Sequence, residues 1–166
     1  MWGDSLIIAG KDLERIQPLL LSPTEKELLN PASIDIRIGG NFIREGGVSM
    51  PLEGFIVVEP GERILVSTHE IIYVPPQLAI ELRLKSSRAR EGWNHALAFW
   101  FDPGWKGIGT MELINSNRHT RLNLHRGMRI AQIIVHGLSS PVDKGYDGRY
   151  QGAMGVEAAK PEKGAS

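Results

Sequence analysis

The spacing of hydrophobic and polar positions changes once along the chain. Near the N-terminus Ile8, Leu13 and Ile16 recur at near-helical spacing, which predicts a short helix stopped by Pro18. A second short helix is predicted at Ser22-Pro23-Thr24-Glu25, where Ser22 can cap, Pro23 suits the first helical position and Glu25 can reach back. From Pro31 the period becomes two. Ile34, Ile36 and Ile38 alternate with Ser33, Asp35 and Arg37, which predicts a half-buried strand ended by Gly39-Gly40. Further strands are predicted at Phe55–Val58, Arg63–Ser67, Glu70–Val74, Leu78–Leu84, His95–Phe101, Ile108–Ile114, Arg121–Leu124 and Met128–Val135, each bounded by Gly, Pro, Asn or Ser. Short strands with little helix between them predict an all-β sandwich, jelly roll or distorted barrel and argue against a parallel α/β sheet. No internal repeat is visible. The stretch Glu157 to Ser166 has too little apolar content to pack and is expected to be mobile.

Composition narrows the function. A length of 166 residues suits one domain. Nineteen Lys plus Arg balance nineteen Asp plus Glu, so no overall positive field favours nucleic acid or a membrane surface, and any anion site must be local. The absence of cysteine excludes disulfides, thiolate metal sites and a cysteine nucleophile, and fits a cytoplasmic protein. Met1 to Ala9 carries an early Asp4 and only a short apolar patch, so no signal peptide is expected, and no apolar run is long enough to span a membrane.

Common catalytic signatures are missing. There is no GxxxxGK[ST] loop, GxGxxG turn, GxSxG elbow or HExxH pair. His69, His95, His119, His125 and His136 have no close paired spacing, so no zinc site is expected. Two local features do carry chemistry. Lys85-Ser86-Ser87-Arg88-Ala89-Arg90 follows the alternating strand Ile80, Leu82, Leu84, and its hydroxyls and cations offer the donors a polyphosphate needs. A solvated basic turn is the plainer reading of the same residues. Glu112 shares a strand face with Thr110 and Ile114, opposite Met111 and Leu113. It is either an exposed edge-strand carboxylate or a buried one, and a buried one needs a partner or a function. Asp102, before the turn Pro103-Gly104, can cap that turn with its side chain.

In order, Pro31-Ala32-Ser33-Ile34-Asp35-Ile36-Arg37-Ile38-Gly39, Lys85-Ser86-Ser87-Arg88-Ala89-Arg90, Asp102-Pro103-Gly104-Trp105-Lys106-Gly107 with Thr110-Met111-Glu112-Leu113, Gly127-Met128-Arg129-Ile130-Ala131-Gln132, and Tyr146 with Gly148-Arg149-Tyr150-Gln151-Gly152 closely resemble the dCTP deaminases, a branch of the trimeric dUTPase superfamily. The resemblance runs from about Leu6 to Gly155. It implies an all-β, dUTPase-like distorted β-barrel or jelly roll with short N-terminal helices, assembled as a homotrimer with shared active sites. It also implies a single domain over residues 1–156, whose segment from about 140 to 156 closes over the nucleotide, followed by the tail 157–166.

By the same resemblance, Lys85, Ser86, Ser87 and Arg90 come from one subunit, and Ala98, Asp102, Trp105 and Glu112 from its neighbour. Ser87 and Lys85 would hold phosphate, Asp102 the deoxyribose 3′-hydroxyl, and Tyr146, Arg149 and Gln151 would belong to the closing segment. Glu112 would take a proton from a water positioned by Ser86 and the Ala98 backbone, and return it to the departing amino group, with Arg90 orienting Glu112. Mg²⁺ would arrive with the triphosphate and zinc would play no part. Four positions depart from the family pattern: Lys85 replaces a common Arg, Phe99 and Trp100 replace residues that are often polar, and Ala153 replaces a common Gln. The rival expectations are a dUTPase, a bifunctional enzyme forming dUMP, and a non-catalytic nucleotide-binding trimer. Glu112 argues against the first, and Ser86, Arg90 and Glu112 together argue against the last.

Overall fold

The structure, a computed structural model, describes residues 6–96 and 98–162. In chain order these form β1 (Leu6–Ile7), α1 (Gly10–Leu20), β2 (Leu21–Ser22), a 3-10 turn (Lys26–Leu28), β3 (Leu29–Asn30), β4 (Ser33–Arg44), β5 (Met50–Pro51), β6 (Phe55–Val58) and β7 (Arg63–Tyr73). There follow β8 (Leu78–Leu84), α2 (Ser86–Glu91), β9 (Trp93–His95), β10 (Trp100–Phe101), β11 (Lys106–Asn115), β12 (Leu122–His125) and β13 (Arg129–Gly137). The chain is thus mostly β with few helices, as the period-two pattern predicts.

The main sheet runs β10-β8-β13-β4-β7-β11-β9, with β1 on β13, β2 on β7, and β3 and β5 on β4; β6 pairs separately with β12. A flat sheet of seven strands would measure roughly 29 Å across at ~4.8 Å per strand. Its outermost strands, β9 and β10, are nevertheless joined only by the link from His95 to Trp100, which reaches about 18 Å at full extension. The sheet must therefore curl, and it forms a half-barrel around a core that includes Ile34, Ile36, Ile38, Val66, Ile80, Leu82, Met111 and Ile133.

Several boundaries differ from the sequence expectation, each for a non-local reason. Helix α1 continues past Pro18 to Leu20: the proline sits in the last turn, and buried Leu13 and Leu20 hold that turn against the sheet. The second predicted helix is only the 3-10 turn. Ser22 belongs to β2, paired with Ile71, and the Glu25 carboxylate reaches Arg37 Nη1 at 2.9 Å instead of capping. Strand β4 runs through Gly39-Gly40 because it goes on pairing with β7 on both sides of them, with a register shift between Ile38 and Phe42. A Cβ on Gly39 would lie 2.3 Å from Ser67 Oγ and 2.4 Å from the Thr68 carbonyl oxygen, so only glycine permits this close approach of the two strands. β4 is also not half-buried, since Ser33 and Asp35 are covered as well.

The two strands predicted at Arg63–Ser67 and Glu70–Val74 are one strand, β7. Thr68 Oγ1, at the polar break, donates to the Glu70 carbonyl at 2.7 Å and accepts the Gly109 N–H at 2.9 Å. Conversely, the strand predicted over His95–Phe101 divides into β9, which pairs with β11, and β10, which pairs with β8. Nearby in the core, fully buried Glu70 accepts from Arg37 Nε at 2.7 Å and from the Arg37 backbone N–H at 3.0 Å, tying β4 to β7. Of the tail expected to be mobile, residues 163–166 lie outside the described residues, as do residues 1–5 at the other end.

Candidate active site

The strand β11 alternates along its length: Gly107, Gly109, Met111, Leu113 and Asn115 are buried, while Ile108, Thr110, Glu112 and Ile114 form a half-buried face. β7 flanks it on one side and β9 on the other near Leu113–Asn115. Glu112 is therefore on an inner strand, and the exposed edge-strand reading is corrected. In the antiparallel register Glu112 faces Leu65 and Ile114 faces Arg63, which puts Arg63 on the Glu112 face at a diagonal position.

This face floors a cavity of about 350 Å³. One wall is Ala98, Trp100, Phe101, Asp102 and Trp105, and another is Tyr146, Tyr150, Ala153 and Glu157. Glu112 Oε2 is buried there with no hydrogen-bond partner. Burial pushes its carboxyl above the ordinary 4.5, against smaller opposing effects of its own backbone and of Arg63. A carboxyl whose burial favours its protonated form, with one oxygen buried and free of a hydrogen-bond partner, is suited to give and take a proton. On the neighbouring strand β9, His95 packs edge-on against Phe99 at 4.5 Å, and burial lowers its pKa with help from Arg83.

The Asp102 side chain does not close its turn. The Asp102 carbonyl accepts the Trp105 N–H at 3.1 Å, and Oδ1 accepts the Trp100 indole N–H at 3.1 Å. Buried Trp105 packs on Phe101 with ring centres 4.6 Å apart. Over this turn lies the C-terminal segment. Gln151 Oε1 accepts the Lys106 N–H at 2.8 Å, and Gln151 Nε2 donates to the carbonyls of Gly104 at 2.8 Å and Tyr146 at 3.0 Å. The Ile108 N–H donates to the Ala153 carbonyl at 2.7 Å, and the Glu157 N–H to Thr110 Oγ1 at 2.8 Å. Gly107 allows this docking, since a Cβ there would lie 2.7 Å from the Ala153 carbonyl oxygen.

Of the residues expected in the site, Ala98, Asp102, Trp105, Glu112 and Tyr146 are brought together in the cavity. Gln151 anchors the segment instead of lining it. Arg149 donates to the Lys160 carbonyl and lies over the Tyr150 ring at 5.9 Å, also away from the lining. Lys85, Ser86, Ser87 and Arg90 do not line the cavity either. Lys85 Nζ is held by buried Asp35 Oδ1 at 2.5 Å, while Ser86, Ser87 and Arg90 project from the exposed helix α2. Sequence reasoning missed Arg63, Tyr150 and Glu157. Arg63 and Leu65 do alternate in the sequence, but their apposition to Glu112 depends on register. Among the described residues no group of three or more His, Asp or Glu side chains is placed to hold a metal ion, and no helix is long and apolar enough to cross a membrane.

A family model described as dCTP deaminase-like matches residues 8–138. The chain belongs to the dCTP deaminase-like family. It is 34% identical over 146 residues to the dCTP deaminase of Pyrococcus furiosus, covering 87% of this chain and 92% of that protein. It is 30% identical over 168 residues to a protein of Persephonella marina named dCTP deaminase, dUMP-forming, covering 90% and 92%. Among solved structures, the 2′-deoxycytidine 5′-triphosphate deaminase of Agrobacterium tumefaciens shares the fold with a TM-score of 0.65 at 20% identity. That match covers 80% of this chain but 48% of the Agrobacterium chain. The native dUTPase of EIAV matches with a TM-score of 0.52 at 17% identity, covering 88% and 98%. The deaminase family and the dUTPase-like fold of its neighbours thus agree with the resemblance carried by the sequence motifs.

Proposed function

We propose that the chain hydrolyses dCTP to dUTP and ammonia, supplying deoxyuridine nucleotides. The observation that carries this reading is the Glu112 carboxyl on the floor of an aromatic-walled cavity, with Oε2 buried and without a hydrogen-bond partner. In the proposed step Glu112 removes a proton from a water held by Ser86 and the Ala98 backbone, and the hydroxide adds at C4 of cytosine. Glu112 passes that proton to N3, then takes the proton left on the added hydroxyl and delivers it to the amino group, and the C4–N bond breaks to release ammonia. The water oxygen becomes the 4-carbonyl of uracil, so the atoms balance without an oxidant or reductant.

Charge supports a shared site. The only cation lining the cavity among the described residues is Arg63, against Asp102, Glu112 and Glu157, so this pocket alone repels a triphosphate. The exposed helix α2 carries the complementary groups. In a homotrimer Ser86, Ser87 and Arg90 of one subunit would meet the cavity of the next, with Lys85 anchored behind them on Asp35 and Arg90 orienting Glu112. Asp102 would take the 3′-hydroxyl, Trp105 and Tyr146 would wall the nucleotide, and Gln151 and Arg149 would hold the closing segment. Mg²⁺ would enter as the counter-ion of the triphosphate, and zinc would have no part.

A second reading, formation of dUMP, is favoured by relatives named dUMP-forming from Persephonella marina and Methanopyrus kandleri and by the presence of Asp102 in the same cavity as Glu112. Separate incubations with dCTP and dUTP, followed for ammonia, pyrophosphate and nucleotide products, decide between them. Ammonia and dUTP from dCTP are expected. Pyrophosphate with the ammonia would establish the dUMP-forming reading, and pyrophosphate from dUTP without ammonia from dCTP would refute deamination.

A further inference from the structure

Trp100 is an exposed aromatic set at the cavity wall. It is 54% exposed, although a large indole on the edge of a sheet ordinarily finds cover. It lies on the two-residue strand β10, with its backbone paired to Glu81 of β8. Its side chain is held in place: the indole N–H donates to Asp102 Oδ1 at 3.1 Å, and the ring lies 5.7 Å from the His136 ring at 45°. His136 is itself placed by Glu81, with Nε2 3.3 Å from Oε2. The other large aromatics of this wall, Phe101 and Trp105, are packed against each other, and Trp105 is buried. Trp100 therefore presents pre-organised aromatic surface to the cavity that contains Glu112.

We propose that Trp100 is the platform on which the pyrimidine stacks, and that its N–H fixes the carboxylate of Asp102 beside the bound nucleotide. This inference rests on the functional reading above. A π-face accepts cytosine and uracil alike, so Trp100 contributes affinity without discriminating substrate from product, and the choice of cytosine rests with the groups around Glu112.

Binding of dCTP and dUTP to wild-type, Trp100→Ala and Trp100→Phe proteins, with steady-state turnover of dCTP, tests the inference. Trp100→Ala is expected to weaken both nucleotides by a similar factor of about 5 to 150, the range that loss of a base–aromatic stack produces, and to raise KM far more than it lowers kcat. Trp100→Phe, which keeps a ring and gives up the indole N–H, is expected to recover most of that loss. The phenylalanine variant also guards against misfolding of the alanine variant. Unchanged affinities in Trp100→Ala, or a fall in kcat at constant KM, would overturn the stacking role while leaving the deaminase reading intact. No recovery in Trp100→Phe would likewise overturn it. A wild-type protein that binds neither nucleotide would bring down both readings.

Discussion

Replacing Glu112 by Gln is the sharpest perturbation of the proposed chemistry, because the structure separates its effects on folding and on catalysis. The amide has nearly the shape of the carboxylate, and Glu112 Oε2 has no hydrogen-bond partner to lose. Fold and nucleotide affinity should therefore change little. The amide has no basicity, so the rate of ammonia release at saturating dCTP is expected to fall by about 10²–10⁴-fold, equivalent to ~2.7–5.5 kcal/mol of barrier. The pH profile gives an independent readout. Burial raises the Glu112 pKa in the folded state, so the acid limb of kcat/KM should lie above the ordinary carboxylate range and be absent from any residual activity of the variant. Stability has a defined sign. A group whose folded pKa exceeds its unfolded value contributes stability below the unfolded value, and this is lost as pH rises through the folded value. Wild-type protein should therefore lose some stability as pH rises from about 4.5, and Glu112→Gln should not show that component. Denaturant unfolding across pH checks the stability effect and ammonia release checks the rate. Turnover within tenfold of wild type, or an unchanged acid limb, would remove Glu112 from the mechanism.

Two further outcomes are expected. Mixing inactive Arg90→Ala and Glu112→Gln proteins under conditions that exchange subunits should restore activity, because about a quarter of shared sites would regain both intact halves at equal, random mixing; no recovery after exchange verified by mass spectrometry would contradict the shared homotrimer. Glu70→Ala should destabilise the fold by about 1.5–3 kcal/mol by removing the buried acceptor of the Arg37 Nε–H and backbone N–H, leaving Arg37 only its Glu25 partner, seen as a lower denaturant midpoint; a loss below about 1 kcal/mol would show that the Arg37–Glu70 pair contributes little.

Local physics made much of this protein legible in advance. Side-chain alternation is a property of each strand on its own, so Phe55–Val58 and Leu78–Leu84 match their expected limits and the two faces of β11 were assigned correctly. The ordered motifs carried the family, and five of the expected site residues meet in one cavity.

What the sequence could not determine depends on which strands meet, because pairing and register join residues far apart in the chain. Only the pairing of β4 with β7 on both sides of Gly39-Gly40 turns an apparent strand end into a continuous strand. Only the β7–β11 register places Arg63 beside Glu112, and only the tertiary surroundings of β11 leave Glu112 Oε2 buried and without a hydrogen-bond partner. Lys85 reads as a free cation until Asp35, brought close by the β4–β13–β8 pairings, takes its ammonium. That the Gln151 amide fastens the C-terminal segment to Gly104 and Lys106 is likewise visible only in the folded chain. Residue type and period therefore determined the strands and the family. The protonation behaviour of Glu112 and the partners of Lys85 and Gln151 were decided by tertiary structure, because desolvation and hydrogen bonding depend on neighbours in space.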